Sequence, residues 1–285
     1  MKKILLASTA LVMTTGIAAA DNPNVELSGD AEMGVMFDDS MANEWSFTSE
    51  ATVGFTLSGE TDGGLQFGAS FDADEAVGAA GGTDGSVFIS GAFGRLSMGD
   101  VDSAADAAVG DISGVGLTGL EDTMAYLSND TLPAALYEYS SGGFSVYLGA
   151  DQISSSDDEW SIGAAYSAGN YSFAAGFEKD TSTTATPTGP DDEHFALSGS
   201  GTFGAVTLTA AAGFSNDNTQ GGVSLDYVTG PTTVTGYYFH DFAEDANYGL
   251  GAEYDLGGGA ALVGGIAHYE ATDNTLADFG ISMSF

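Results

Sequence analysis

The chain of 285 residues contains no cysteine, and its 41 Asp+Glu face only 4 Lys+Arg. Without cysteine there can be neither a structural disulfide nor a thiolate metal site. The scarcity of Lys and Arg excludes nucleic-acid binding, which begins with neutralisation of phosphates. It equally excludes adhesion to anionic headgroups through a polybasic patch. Long apolar runs are also missing: past the first twenty residues nothing approaches the ~20 apolar residues of a spanning helix. Catalytic signatures are absent too, with no GxSxG, HExxH or phosphate-binding GxxxxGK[ST]. His194, His240 and His268 lack zinc-like spacing and read as strand-end or loop residues. Acids are so abundant that a pair of carboxylates carries no glycosidase signal. The sequence is therefore read as non-enzymatic. A net charge of -37 taken alone is a mark of disorder, but 43% hydrophobic residues, 17 Phe and 12 Tyr argue for a folded chain.

The first twenty residues have the anatomy of an export leader. Lys2 and Lys3 form a positive start, Ile4 to Val12 a short apolar stretch, and Ala18, Ala19 and Ala20 a small-residue cleavage site. An anchoring helix is the other reading, disfavoured by the short core and by Ser8, Thr9, Thr14 and Thr15. Residues 1–20 are thus expected to be a signal peptide and 21–285 a single domain exported through the periplasm. Two of the four bases lie in the leader, so only Arg95 and Lys179 remain beyond it.

What is present is alternation. From Val25 to Val35 and again from Trp45 to Leu57, odd positions are mostly apolar or glycine and even positions mostly acid or hydroxyl. Successive side chains on a strand point to opposite faces, so each segment has one greasy and one polar side. Such runs exceed the ordinary soluble strand and suit a tilted strand crossing a bilayer. Leu65/Phe67/Ala69/Phe71, Tyr171/Phe173/Ala175/Phe177 and Tyr248/Leu250/Ala252/Tyr254 give further outward stripes. Short glycine-bearing turns are expected at 59–63, 91–94, 141–142, 168–170, 199–201, 230–231 and 257–259. Longer, more polar connections are expected at about 38–43, 74–84, 100–132, 151–158, 180–192, 215–220, 241–246 and 270–273. Seven short and eight long connections make sixteen strands with both termini on the short-turn side, as outer-membrane barrels require. The last strand alternates to Phe285, an aggregation liability unless it pairs with Val25–Phe37 and removes both edges. The fold expected is all-β: a transmembrane antiparallel β-barrel of sixteen strands. A secreted acidic sandwich or adhesion module is the competing class.

The third long connection, about 100–132, carries Asp100, Asp102, Asp106, Asp111, Glu121, Asp122 and Asp130. It also carries Val109, Ile112, Val115, Leu117, Leu120, Met124 and Leu127, enough apolar surface to pack against something. A loop folded into the lumen satisfies both facts, since long irregular connections are usually functional or disordered; a mobile external loop is the alternative. Glu26, Asp30, Glu32 and Glu50 share the lumen phase of the first two strands. These acids and those of the third loop are the candidate pore-lining residues. Carboxylates in a low-dielectric pore concentrate cations and exclude anions. No cofactor is required by the sequence. Asp100, Asp102 and Asp106 form an oxygen-rich group whose chemistry favours calcium or magnesium.

Four stretches carry a family likeness: LSGDAEMGVMF near residue 27, TLSGETDGGLQFGASF, VFISGAFGRLSMGD, and YDLGGGAALVGGIAH with the closing FGISMSF. With the leader, they resemble the general diffusion porins of Rhodobacter-type alphaproteobacteria along essentially the whole chain. The resemblance implies a homotrimer of sixteen-stranded barrels in the outer membrane of a Gram-negative bacterium, each with its own water-filled pore for ions and small hydrophilic solutes. It implies a third loop inside the barrel whose acids face basic residues on the opposite wall, with calcium able to bind among the loop acids. Where such relatives carry lumen arginines on the first two strands, this sequence has Glu32, Glu50 and Thr52. The function expected is passive diffusion through a cation-selective pore, with a solute-specific channel as the alternative.

Overall fold

The computed structural model describes residues 24–81, 84–120, 124–127, 134–150, 159–180, 193–216 and 218–285. The leader, Glu121 and Asp122 lie outside the described residues. Sixteen strands follow in order: β1 (Asn24–Asp38), β2 (Trp45–Glu60), β3 (Gln66–Asp72), β4 (Ser86–Gly91), β5 (Gly94–Gly99), β6 (Ala134–Ser141), β7 (Phe144–Ala150) and β8 (Glu159–Ala168). The second half comprises β9 (Tyr171–Asp180), β10 (Glu193–Phe203), β11 (Val206–Ser215), β12 (Asn218–Thr229), β13 (Thr232–His240), β14 (Ala246–Gly257), β15 (Ala260–Tyr269) and β16 (Asn274–Ser284). Each pairs antiparallel with its sequence neighbours, and β16 returns to β1 to close the barrel. The seam runs from Asp30 opposite Ser284 to Asp38 opposite Leu276, and the Phe285 amide donates to the Gly29 carbonyl at 2.8 Å. Closure leaves no free sheet edge among the described strands, whereas a sandwich would have kept edges.

Two sequence expectations shift. Gly199, Ser200 and Gly201 lie inside β10, and the turn falls instead at Gly204, with φ of 68°, and Ala205. Gly199 and Gly201 occupy the outer face, where the rings of Phe173, Phe203 and Tyr171 cover the space a side chain would fill. The sixth long connection, expected at 215–220, is shorter than that, because the ladder continues to Ser215 opposite Asn218. Strands β3, β4 and β5 are only 7, 6 and 6 residues long. There the chain leaves the wall to form the second outer connection with helix α1 (Ala76–Gly81), and then loop 3.

The polarity of the molecule is inverted relative to a soluble protein. Val25, Leu27, Met33, Phe47, Phe67, Phe173, Leu250 and Phe279 are exposed on the outer face, as lipid contact requires. The hydrophobic core lies instead inside the barrel, beneath loop 3. Val109, Ile112, Val115, Leu117, Leu120, Met124 and Leu127 are all buried, the same residues whose apolar character stands out in the sequence. The backbone of loop 3 rests on inner-wall positions without side chains. A Cβ on Gly163 would meet the Ala104 carbonyl at 2.1 Å, one on Gly176 the Ala105 Cα at 2.6 Å, and one on Gly265 the Gly116 Cα at 2.7 Å. The glycines of β8, β9 and β15 therefore serve as seats for loop 3 rather than as turn formers.

Candidate functional site: the lumen and its internal loop

Loop 3 begins with α2 (Ala104–Val109), capped by Ser103, whose hydroxyl accepts from the Asp106 amide. It is then fastened to one strand after another. The Ala104 amide donates to Ser161 Oγ on β8 at 2.8 Å, and Ser198 Oγ on β10 donates to the Val109 carbonyl at 2.8 Å. Ser113 donates through its amide to Ser224 Oγ and through its hydroxyl to Asp226 Oδ2, both on β12. At the far end the buried Asp278 of β16 accepts from the Leu117 amide (2.8 Å), the Thr118 amide (2.7 Å), the Thr118 hydroxyl (2.7 Å) and the Gly265 amide (3.1 Å). The returning segment is held by Gln220, whose Oε1 accepts from the Ala125 amide and whose Nε2 donates to the Ala125 carbonyl. Glu178 Oε1 accepts from the Leu127 amide at 2.9 Å. Sequence reasoning missed Glu178, Gln220, Asp226 and Asp278. Their only signal was a polar residue at lumen phase, shared with many neighbours.

Glu32 on β1 stands directly across from Glu50 on β2, Asp30 across from Thr52, and Glu26 across from Thr56. Ser284 Oγ donates to Asp30 Oδ1 at 2.7 Å. Glu32 lies two residues from Gly34, against which the Leu117 side chain packs, so this acidic strip runs beside the far end of loop 3. The two bases take other roles. Arg95 lies 3.9 Å above the Phe88 ring, donates from Nε to Ser97 Oγ at 3.0 Å and has Glu138 at 4.0 Å, next to the short turn between β4 and β5. Lys179 pairs with Glu193 across β9 and β10 on the outer-facing phase.

Of the loop acids, Asp111 accepts from the Met124 amide at 2.7 Å and so helps to fold the loop on itself. Asp106, on loop 3 and outside the spanning strands, is pushed up to about 8, first by burial and then by the charges of Asp102, Asp111 and Glu178. Raised above its unfolded value, this group stabilises the folded state most fully below pH ~4, and the contribution is lost as pH rises through about 8. The loop also gains a negative charge over the upper part of that window. Cation preference in planar bilayers should therefore increase between pH 7 and 9, and Asp106→Asn should flatten the increase. An unchanged profile in that variant would assign the effect to other groups.

Asp100 has different company from that expected. Among the described residues, the acids whose carboxylate oxygens lie within 4.8 Å of one another are Glu75, Asp84 and Asp100; Asp102 and Asp106 are not part of that group. The reason is topological. Glu75 and Asp84 belong to the second outer connection, and the Asp100 amide bonds to the Gly85 carbonyl where the chain leaves β5. An adjoining polar cavity of about 260 Å³ is lined by Ser28, Thr56, Ser70, Asp72 and Ser86. Three carboxylates and no nitrogen or sulfur suit a hard divalent cation such as calcium.

The whole arrangement is a closed barrel with an apolar exterior, an acidic interior and an internal loop that narrows the lumen. A sequence profile of Gram-negative porins matches residues 7–274. The porin of Rhodobacter capsulatus is 41% identical over 305 aligned residues, which cover 92% of this chain and 100% of that protein. A porin structure refined at 1.8 Å superposes with a TM-score of 0.80 at 37% identity, over 92% of this chain and 100% of that one. A triple mutant of Rhodopseudomonas blastica porin superposes with a TM-score of 0.75 at 21% identity, with the same coverage, and so shares the fold.

Proposed function

We propose, from the premise that this chain belongs to the Gram-negative porin family, that its pore selects for cations. The premise itself sets the class: a non-enzymatic outer-membrane β-barrel through which small solutes diffuse passively. The observation that carries the selectivity is Glu32 facing Glu50 across the lumen side of β1 and β2, with Asp30 and Glu26 on the same strip. Carboxylates on both strands favour a passing cation and repel an anion, the more so where the walls are of low dielectric.

Residues 1–20 act as the signal peptide, and the barrels assemble as homotrimers in outer-membrane lipid. Glu75, Asp84 and Asp100 hold calcium, lowering the negative charge at the mouth of loop 3. The test is the reversal potential of single channels under a KCl gradient, with and without calcium. The expected result has the sign of potassium permeation, and chelation of calcium makes it larger. Equal permeability of potassium and chloride at low salt refutes cation selectivity, and a potential indifferent to calcium refutes the metal reading.

A further inference from the structure

Glu178 on β9 and His194 on β10 are completely buried, each at 0% exposure, on the stretch of inner wall that loop 3 covers. Pore permeation needs neither of them. His194 Nδ1 lies 2.8 Å from Glu178 Oε1, and His194 Nε2 lies 3.3 Å from Gln220 Nε2 on β12. The intervening strand, β11, makes this contact possible by carrying glycine: a Cβ on Gly213 would sit 2.5 Å from His194 Nε2 and 2.6 Å from Gln220 Nε2. Tyr126 of loop 3 and Phe242 of the seventh outer connection close over the imidazole edge-on.

The hydrogen-bond roles follow by elimination. Gln220 accepts from the Ala125 amide and donates to the Ala125 carbonyl, so its amide cannot be reversed without losing both bonds. Its second amide hydrogen is then directed at His194 Nε2, which must be an unprotonated acceptor, and Nδ1–H donates to Glu178. Glu178 Oε1 also receives the Leu127 amide. The loop segment 124–127 is therefore fastened to the wall by groups whose geometry presupposes a neutral imidazole.

We infer that His194 and Gln220 are positioning residues forming a proton-controlled latch, which holds the 124–127 segment of loop 3 out of the permeation path and releases it in acid. A proton on Nε2 turns the acceptor into a donor facing the amide donor of Gln220. Gln220 can then serve His194 or Ala125 but not both, while Glu178 accepts from Nδ1–H in either state and stabilises the cation. A segment lying on the wall can detach only towards the lumen, so release narrows the pore. The other charged and titratable groups around this point are Glu178, Asp106 and Asp111, together with the Tyr126 phenol, which burial holds far above its ordinary range. Asp106 is pushed up to about 8, so the test must separate it from His194.

The test uses the full protein in liposomes and the entry of a neutral disaccharide, which responds to aperture and not to lumen charge. Entry should slow by at least about twofold between pH 8 and 5, the window in which imidazoles change charge. His194→Gln can bond to Glu178 and Gln220 as a neutral imidazole does, but cannot be protonated, so its entry should be fast at both pH values. Gly213→Ala wedges the contact apart and should be slow at both. A flat wild-type profile, or a wild-type response retained in His194→Gln, overturns the latch. If neither variant assembles, amide hydrogen exchange of segment 124–127 in the wild-type protein decides. Faster exchange at pH 5, after correction for intrinsic rates, supports the latch, and unchanged protection overturns it. The inference rests on the pore, not on its cation selectivity. No sugar entry at any pH would refute the open pore, whereas entry indifferent to pH refutes the latch alone.

Discussion

Replacing Glu32 and Glu50 together by lysine is expected to lower the potassium-to-chloride permeability ratio by about ten- to a hundredfold at ~0.1 M KCl. The two side chains are direct cross-strand neighbours on the lumen face of β1 and β2. The double substitution changes the local charge by four units. A unit charge ~6 Å from a permeating ion in water is worth about 0.7 kcal/mol before screening, and the effect has opposite sign for cation and anion. The difference should nearly vanish in ~1 M salt, where the screening length falls to about 3 Å. A single Glu50→Lys should give a smaller electrical effect and also relieve the like-charge opposition with Glu32. Reversal potentials of the double variant that match wild type at low salt would show that these acids do not govern the current.

Removing the Asp278 carboxylate is expected to have the largest effect on the internal loop. Its two oxygens accept from the Leu117 and Thr118 amides, the Thr118 hydroxyl and the Gly265 amide. Asp278→Ala strands the three amide donors at a site that is only 7% exposed, at roughly 1–3 kcal/mol for each that water cannot reach. The temperature at which the folded band is lost on unheated gels should fall, and single-channel records should show frequent closures as the loop end swings into the lumen. Asp278→Asn keeps one acceptor oxygen and should be intermediate. A variant with quiet, full-sized channels would show that Val115, Leu117 and Leu120 alone hold the loop.

Much of this architecture is legible in the residues themselves. Period-two alternation sets which side chains meet lipid, and the alternation of short and long connections sets the strand count. The apolar residues scattered through an acidic loop foretell that it packs against the wall. What escapes the sequence is anything that depends on relations between strands that are not neighbours. His194 reads as a strand-end residue, and so it is. Its contact with Gln220, two strands away, exists because Gly213, on the strand between them, leaves the space open. Asp100 meets Glu75 and Asp84 rather than Asp102 and Asp106 because the backbone bond to Gly85 ties the loop's start to the preceding connection. The Gly199–Gly201 pair reads as a turn because a glycine pair looks the same whether it bends the chain or makes room for aromatic rings.

The seating of Leu117 has a bearing on the order of assembly. Its side chain lies against Gly34 of β1 and Gly280 of β16, the first and last strands to be synthesised, while its amide is held by Asp278. That seat does not exist until the two ends of the chain have met, so loop 3 cannot be fully docked on an open sheet. Contacts of such long sequence separation form late, after the entropy of closing the intervening chain has been met. Docking of the loop is thus a final step that rewards closure and spans the seam from within. The same segment that narrows the finished channel also acts as a clasp on the ring.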